Sequence, residues 1–320
     1  EPSRFHGIGK FAPDIGRSTG TAKKDNSAIA GETLCRIGRQ EKDLAVITAA
    51  MSEGTGMEPF REAFPERFFD VGIAEQHAVT MAAGLAMGGM KPVVAIYSSF
   101  LQRAYDQMLH DVALQRLRVV FAIDRAGLVG ADGETHQGVY DIAYCLTMPY
   151  VEIYSPASKG ELEEMLKMAV EGDVPAAVRY GKGTLPDRVY PAVEYGKWIE
   201  IKPISNVTVV ATGRMVEIAE KAVENLDAGL VNARFIRPMD EDMLDMIKQK
   251  ASYVITIEDG IAQGGMGSRI AQRLTGIKVE CMGVSEKPVS QGTCDEQTRL
   301  CGMDETAVRV RVLMAMEGVK

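Results

Sequence analysis

Side chains that could take part in proton transfer or anion binding are concentrated in three short stretches, residues 70–77, 97–107 and 124–138. Each stretch directly follows an apolar run that predicts a buried strand. Loops at the carboxyl ends of parallel strands are where open α/β sheets bind their ligands. The stretches carry acids, arginines, a histidine and aromatic rings, so we predict one ligand site formed by all three.

Glu75 is the most informative residue of the first stretch. It stands just before an Ala-rich apolar run, residues 78–87, which predicts a buried helix with Glu75 in its first turn. An acid in that position is commonly only a partner of the helix dipole. A carboxyl held rigidly there, with water excluded, can instead share a proton with a ligand. His77 and His110, on predicted helices, are interpreted as structural.

Alternating helices and apolar strands surround these stretches and predict an α/β fold. The prediction is two consecutive open, mainly parallel sheets flanked by helices. We expect a lead-in over residues 1–26, a first domain over 27–183, a Pro- and Gly-rich linker over 184–196 and a second domain over 197–320. Predicted strands lie near residues 44–48, 68–71, 92–97, 119–123, 150–154, 176–180, 207–211, 229–231, 253–258 and 277–282.

Composition excludes several classes of protein. The 320 residues are 46% hydrophobic and 25% charged, which is ordinary for a globular protein. The net charge of −8 argues against a general nucleic-acid or membrane-surface role. Five scattered cysteines without a Cys-x-x-Cys pair favour reduced thiols and a cytoplasmic location over disulfides or a zinc site. The first residue, Glu1, is compatible with a piece of a longer protein.

The order and spacing of the three stretches resemble the 1-deoxy-D-xylulose-5-phosphate synthases, thiamine-diphosphate enzymes related to transketolase. The acidic helix start and the Asp-Gly-x-Thr-His loop are similar to transketolase relatives in general. The runs over residues 98–107 and 124–130 resemble the synthases in particular. Shorter matches at residues 5–7, 47–51, 178–180, 234–238, 264–268 and 291–293 extend the resemblance over the whole chain. It implies a pyrimidine-binding domain followed by a transketolase C-terminal domain.

The resemblance implies roles for individual residues. Glu75 matches the glutamate that hydrogen-bonds the cofactor's aminopyrimidine and promotes its imino tautomer. Phe100 matches the aromatic residue that stacks on that ring. The matches that would contact substrate or transfer protons are His6, Tyr97, Asp132 and His136.

Arginines would hold the phosphate of the acceptor sugar. Arg125 and Arg179 match the family's phosphate ligands, and a guanidinium suits that task because it stays charged and donates through a planar fork. Arg103 could orient Asp132 or His6, or form a structural ion pair. The glycine-rich residues 264–268 match neither a P-loop nor a dinucleotide fingerprint, and we interpret them as a packing turn.

The sequence lacks one part of the family's pattern. Relatives hold the diphosphate through Mg²⁺ bound by a Gly-Asp-Gly motif on an N-terminal domain, and these residues contain no Gly-Asp-Gly. We therefore expect a partial enzyme that needs a diphosphate-binding domain, is inactive by itself, and offers no metal ligands of its own. The resemblance also implies a homodimer.

The implied reaction condenses pyruvate with D-glyceraldehyde 3-phosphate and releases CO₂. Two alternatives stay open. The chain could be the C-terminal subunit of a split transketolase, or a non-catalytic module that keeps the fold without the chemistry.

Overall fold

The computed structural model describes residues 11–12, 14, 17–18 and 24–318, and the predicted site residue His6 lies outside them. The strands are β1 Phe11–Ala12, β2 Arg17–Ser18, β3 Leu44–Thr48, β4 Phe68–Asp70, β5 Lys91–Tyr97, β6 Val120–Asp124, β7 Glu152–Tyr154, β8 Ala176–Arg179, β9 Ile199–Lys202, β10 Val207–Ala211, β11 Gly229–Asn232, β12 Phe235–Arg237, β13 Tyr253–Ile261 and β14 Lys278–Val284. The α-helices are α1 Asn26–Gln40, α2 Glu58–Ala63, α3 Glu75–Met87, α4 Ser98–Leu101, α5 Tyr105–Gln107, α6 Asp141–Thr147, α7 Lys159–Glu171, α8 Met215–Ala222, α9 Glu241–Lys250, α10 Met266–Arg273, α11 Cys294–Leu300 and α12 Glu305–Gly318.

The first sheet has seven strands in the order β12-β7-β8-β6-β5-β3-β4. Six of them are parallel, and β12 runs antiparallel to β7 at one edge. The central strands β3 and β6 are buried along their whole length, as expected for parallel strands covered by helices on both faces. This sheet positions all the predicted site residues that the structure describes.

The second sheet has five strands in the order β14-β13-β10-β11-β9. Four are parallel, and β9 pairs antiparallel with β11. A separate apolar cluster, which includes Val209, Leu230, Ile255 and Val312, packs this sheet against α8 and α12. The prediction of two mainly parallel α/β sheets is confirmed.

The two sheets are joined more closely than the sequence predicted. Strand β12 belongs to the predicted second domain by position in the chain, yet it completes the first sheet. Arg234, just before it, is buried in an ion pair with Glu161 of α7 at 2.6 Å. Arg237 donates to the carbonyl oxygens of Leu146 and Met148, at the end of α6. The segment over residues 234–238 is therefore bound to the first domain by strand pairing, an ion pair and hydrogen bonds.

The remaining differences from prediction are local. Strands β1 and β2, within the predicted lead-in, and strands β9 and β12 were not predicted, because short edge strands carry little periodic signal. Helix α3 was predicted to be buried, which is wrong for one face, since Gly84 and Met87 are exposed. Residues 184–196, predicted as a linker, contain no helix or strand. Among the described residues, no helix is both long enough and apolar enough to cross a bilayer.

Candidate active site

The pairing of the first sheet brings the predicted site stretches together. Tyr97 at the end of β5 is aligned with Asp124 at the end of β6, and Ile123 is aligned with Arg179 of β8. Because these strands are parallel, the residues that follow them emerge at the same edge of the sheet. The stretches that begin at residues 97 and 124 therefore share one surface.

Asp70 shapes the turn that leads from β4 to Glu75. One of its oxygens, Oδ1, accepts hydrogen bonds from the backbone N–H groups of Ala50 at 2.7 Å and Gly72 at 3.0 Å. Gly72 has φ +71°, a left-handed conformation that glycine adopts without a steric penalty. The turn ends at Ala74, and α3 begins with Glu75 as its first residue. An N-terminal carboxylate of this kind is favoured by the helix dipole.

Glu75 is almost fully enclosed, with only 3% of its side chain exposed. Its Oε2 accepts a hydrogen bond from Nη1 of Arg103 at 2.5 Å, and the Arg103 side chain is 47% exposed. Of the alternatives considered for Arg103, the structure shows the ion pair. The partner of Glu75 comes from the helical segment that follows β5 and carries Phe100, so two site stretches meet at this contact.

Three rings form a cluster beside that segment. Phe100 stacks on Tyr97 with ring centroids 5.6 Å apart and an interplanar angle of 29°. His136 meets Phe100 edge-on, with centroids 5.4 Å apart. All three rings are half-buried. The structure thus brings together Tyr97, Phe100 and His136, which come from two of the three stretches predicted to form one ligand site.

Arg125 lies over the same cluster. Its guanidinium carbon is 3.9 Å from the centroid of the Tyr97 ring, and Nη1 donates to the carbonyl oxygen of Gly54 at 2.8 Å. Arg125 has φ +53°, and its backbone N–H donates to Oδ1 of Asp124 at 2.6 Å. Burial raises the pKa of Asp124 to about 6, although the neighbouring Arg125 lowers it. Burial likewise raises the pKa of the Tyr97 phenol to about 12, so Tyr97 is protonated at neutral pH.

The loop over residues 127–138 carries Asp132 and His136. Gly127 and Gly138 exchange two backbone hydrogen bonds, of 2.6 and 2.8 Å, that close its neck. Asp132 is exposed and pairs with Nζ of Lys182 at 2.7 Å. Lys182 was missed by the sequence analysis, although its position just after β8 is the signal that identified the other strand-end residues.

Arg179 has a different environment from the one expected. Its side chain is 3% exposed, and it donates from Nε to Asp141 at 2.8 Å and from Nη1 to Asp259 at 2.7 Å. Asp259 lies on β13, so this is a buried ion cluster between the two sheets. The phosphate-binding role of Arg179 stays a prediction that this geometry does not support, because its donors face protein carboxylates.

Two other features bear on ligand binding. No group of three or more His, Cys, Asp or Glu side chains that could hold a metal ion occurs within the described ranges. The glycine-rich residues before α10 place the N–H groups of Met266 and Gly267 on Glu258, at 2.9 and 2.8 Å. Burial raises the pKa of Glu258 to about 7. The acceptor at this helix start is therefore a carboxyl group of the protein itself, in keeping with a packing turn.

Protein-family models and curated proteins match both halves of this chain. Family models described as "Transketolase, pyrimidine binding domain" and "Transketolase, C-terminal domain" match residues 22–188 and 196–308. Curated relatives named 1-deoxy-D-xylulose-5-phosphate synthase include those of Clostridium tetani (44% identical over 98% of this chain) and Syntrophus aciditrophicus (45% over 99%). The chain covers 53% and 52% of these two proteins, so it spans about half the length of the curated relatives it matches.

Solved structures show the same fold. A chain described as "Split gene transketolase, inactive beta4 tetramer" matches with a TM-score of 0.84 and 28% identity, covering 92% of this chain and 99% of that one. A Pichia stipitis transketolase matches with a TM-score of 0.77 at 16% identity, covering 93% of this chain and 47% of that one. The sheet order, the strand-end cluster and the two family-model matches lead to one conclusion: the chain belongs to the transketolase family and comprises its pyrimidine-binding and C-terminal domains.

Proposed function

We propose that the chain is the C-terminal part of a 1-deoxy-D-xylulose-5-phosphate synthase, which condenses pyruvate with D-glyceraldehyde 3-phosphate and releases CO₂. The observation that carries the proposal is the enclosed Glu75 carboxylate at the start of α3, tied by Arg103 to the segment that bears Phe100. The names of relatives that are 40–45% identical over more than nine-tenths of the chain support the choice of synthase.

The described residues fit the aminopyrimidine end of thiamine diphosphate. Glu75 offers an enclosed carboxylate that can share a proton with a ring nitrogen, and Phe100 offers a half-buried ring for stacking. When bound, the cofactor supplies a nucleophilic thiazolium carbon. Glu75 holds and passes the proton that controls this reactivity, while its burial limits access of water to the carboxylate.

Substrate contacts are assigned to the other side of the ring cluster. An imidazole is a common group for proton transfer, and we assign that role to His136, while Tyr97 is a protonated hydrogen-bond donor. Asp132 lies on the same loop as His136 and orients substrate hydroxyl groups. Arg125, with 20% of its side chain exposed, and Lys182, with 37% exposed, follow neighbouring strands, and we assign the triose phosphate to these two cations. His6 is retained as a predicted contact to the reacting centre.

The diphosphate end of the cofactor needs groups from elsewhere. A diphosphate is usually bound through Mg²⁺, whose ligands are carboxylates, amides and water. Since the described residues hold no such cluster, the magnesium and diphosphate ligands are assigned to a separate N-terminal diphosphate-binding domain of the same enzyme. The chain alone then binds the cofactor weakly and does not turn over.

A homodimer is also proposed, with α3 at its interface. Ile73, just before the helix, and Met87, at its end, are 78% and 70% exposed. Gly84 and Thr80 are exposed on the same face, at helical spacing between them. The exposed stripe has an apolar side chain at each end and His77, Thr80 and Gly84 between them, and its small residues allow close packing against a second copy. The free thiols of all five cysteines, each within the described residues, agree with the proposed cytoplasmic location.

A product assay tests the proposed function. Pyruvate, D-glyceraldehyde 3-phosphate, thiamine diphosphate and Mg²⁺ are supplied to this chain alone, and then together with a separately expressed diphosphate-binding domain. We expect 1-deoxy-D-xylulose 5-phosphate only from the mixture. Product from the chain alone would contradict the assignment of the diphosphate site. No product from a mixture shown to associate would reject the synthase assignment.

The split transketolase structure supports a second candidate. That chain covers almost the same residues as this one, and it was solved as a separate polypeptide. A transketolase subunit would use ketose phosphates as donors, whereas the synthase uses pyruvate. Comparing the two donors in the assembled mixture separates these candidates. A non-catalytic module would use neither donor.

A further inference from the structure

Helix α11 of the C-terminal domain contacts the loop that carries Asp132 and His136. The side-chain amide of Gln297, 1% exposed, accepts a hydrogen bond from the backbone N–H of Gly130 at 2.8 Å. The same amide donates from Nε2 to the carbonyl oxygen of Gly130 at 3.1 Å. One buried side chain therefore satisfies both backbone groups of a single loop residue, as a neighbouring strand would.

Neighbouring contacts reinforce this attachment. Nε2 of Gln291 donates to the carbonyl oxygen of Ala131 at 2.8 Å. Gly130 has φ +70°, and a Cβ added there would lie 3.2 Å from both the backbone nitrogen and Sγ of Cys294. Glycine is therefore suited to this position by its backbone conformation and by the close approach of α11. The loop and the helix are fitted to each other over residues 128–131.

Helix α11 is itself firmly held. Thr293 and Glu296 form a capping box at its start. Oγ1 of Thr298 accepts a hydrogen bond from Nη2 of Arg214 at 2.8 Å, and Nε of Arg214 lies 3.5 Å from Asp259. Asp259 belongs to the buried cluster with Arg179 described above. The support for Gln297 is therefore anchored in the second sheet, independently of the loop.

We propose that Gln297 is a positioning residue that holds the Asp132–His136 loop in its working geometry. The loop's neck is closed within the first domain by Gly127 and Gly138, whereas the side chains that hydrogen-bond residues 130–131 come from the second domain. The inference rests on the proposed function for the roles of Asp132 and His136. It gives the C-terminal domain a part in catalysis: it fixes a loop that lies in the other domain.

Hydrogen exchange of this chain tests the positioning role without any need for activity. Gln297→Met removes both hydrogen bonds to Gly130 and roughly conserves volume. We expect amide exchange in residues 128–138 to accelerate about tenfold or more, while α1 and α10 keep their protection. Gly130→Ala disturbs the same contact from the loop side, because the added Cβ lies close to Cys294. It should give the same pattern of faster exchange in the loop. Arg299→Gln, exposed on α11, is the matched control and should leave the loop unchanged.

Turnover of the assembled enzyme provides the second readout. Gln297→Met should lower kcat about 10- to 100-fold through misplacement of the loop. Thiamine diphosphate affinity should change much less, because Glu75 and Phe100 lie on other segments and the loop reaches Phe100 only through His136. Unchanged loop exchange in both variants would overturn the proposal. Exchange that rises equally throughout the chain would also overturn it, as the mark of a purely structural residue. Absence of product from the parent enzyme would reject the proposed function and leave the exchange result valid.

Discussion

Arg103 and Glu75 form an ion pair of unequal burial, in which an exposed guanidinium reaches an enclosed carboxylate at 2.5 Å. The arrangement neutralises the carboxylate at the start of α3 while leaving one side of the pair close to the surface. The pair also joins two of the segments that the sequence analysis predicted to converge.

Removal of Arg103 should destabilise the chain. Arg103→Met leaves the buried Glu75 carboxylate without its partner, and we expect a loss of about 1–3 kcal/mol in the free energy of unfolding. Urea denaturation measures this change. Arg36→Met is the matched control, since Arg36 and Glu163 are both exposed and such pairs contribute only about 0–1 kcal/mol. Equal effects of the two substitutions would contradict a special role for the Arg103 pair.

Substitution of Glu75 should separate catalysis from folding. Glu75→Gln retains the size and one acceptor oxygen but cannot share a carboxyl proton, so kcat of the assembled enzyme should fall by about 10²–10⁴-fold. Glu171→Gln, exposed at the end of α7, is the matched control and should leave kcat near the parental value. Near-parental turnover by Glu75→Gln would remove Glu75 from the mechanism.

Arg125 should affect one substrate more than the other. Arg125→Ala removes a cation assigned to the triose phosphate. Because a charge-assisted hydrogen bond contributes about 1.5–3 kcal/mol, the KM of the assembled enzyme for D-glyceraldehyde 3-phosphate should rise about 10- to 100-fold. The KM for pyruvate should change little. Arg116, which stacks on the exposed Tyr150, provides the control substitution Arg116→Ala. An effect confined to pyruvate would contradict the phosphate assignment.

Glu258 should make stability depend on pH. Burial raises its pKa from the ordinary 4.5 to about 7 in the folded chain. Between pH 4.5 and 7 the folded state then binds more protons than the unfolded state. The contribution of Glu258 to the free energy of unfolding is therefore fully present below pH 4.5 and is lost as the pH rises through 7. Relative to Glu258→Gln, the parent should lose about 2 kcal/mol of unfolding free energy between pH 5 and 7.5. Urea denaturation at several pH values measures this loss. If the free energies of unfolding of the two proteins change with pH by the same amount, the raised pKa of Glu258 is contradicted.

The exposed stripe on α3 should govern assembly, through the apolar side chains at its two ends. A double substitution, Ile73→Glu with Met87→Glu, places charges on the proposed interface and should convert a dimer to a monomer in analytical ultracentrifugation. Val189→Glu is the control, since Val189 is 94% exposed and lies in the segment between the two sheets. A dimer that survives the double substitution would place the interface elsewhere.

Long apolar runs made most of the fold predictable. The predicted strand over residues 44–48 coincides with β3, and the strands later observed as β5, β6 and β10 were placed to within a residue at each end. Fully buried parallel strands leave continuous apolar runs, which are strong local signals. Strand β12 was missed because its place in the first sheet is decided by pairing with β7, more than 80 residues earlier in the chain.

The sequence alone determined which residue types follow which strands, and hence that Glu75, Phe100, Arg125 and His136 would meet at one edge of a sheet. That follows from local patterns together with the geometry of parallel strands. Only the tertiary structure decided the partners: Arg103 with Glu75, Arg179 with Asp141 and Asp259, and Gln297 with Gly130. Such contacts join segments from 28 to 167 residues apart. Hydrogen bonds and ion pairs depend on angstrom-scale packing between elements, which no local pattern encodes.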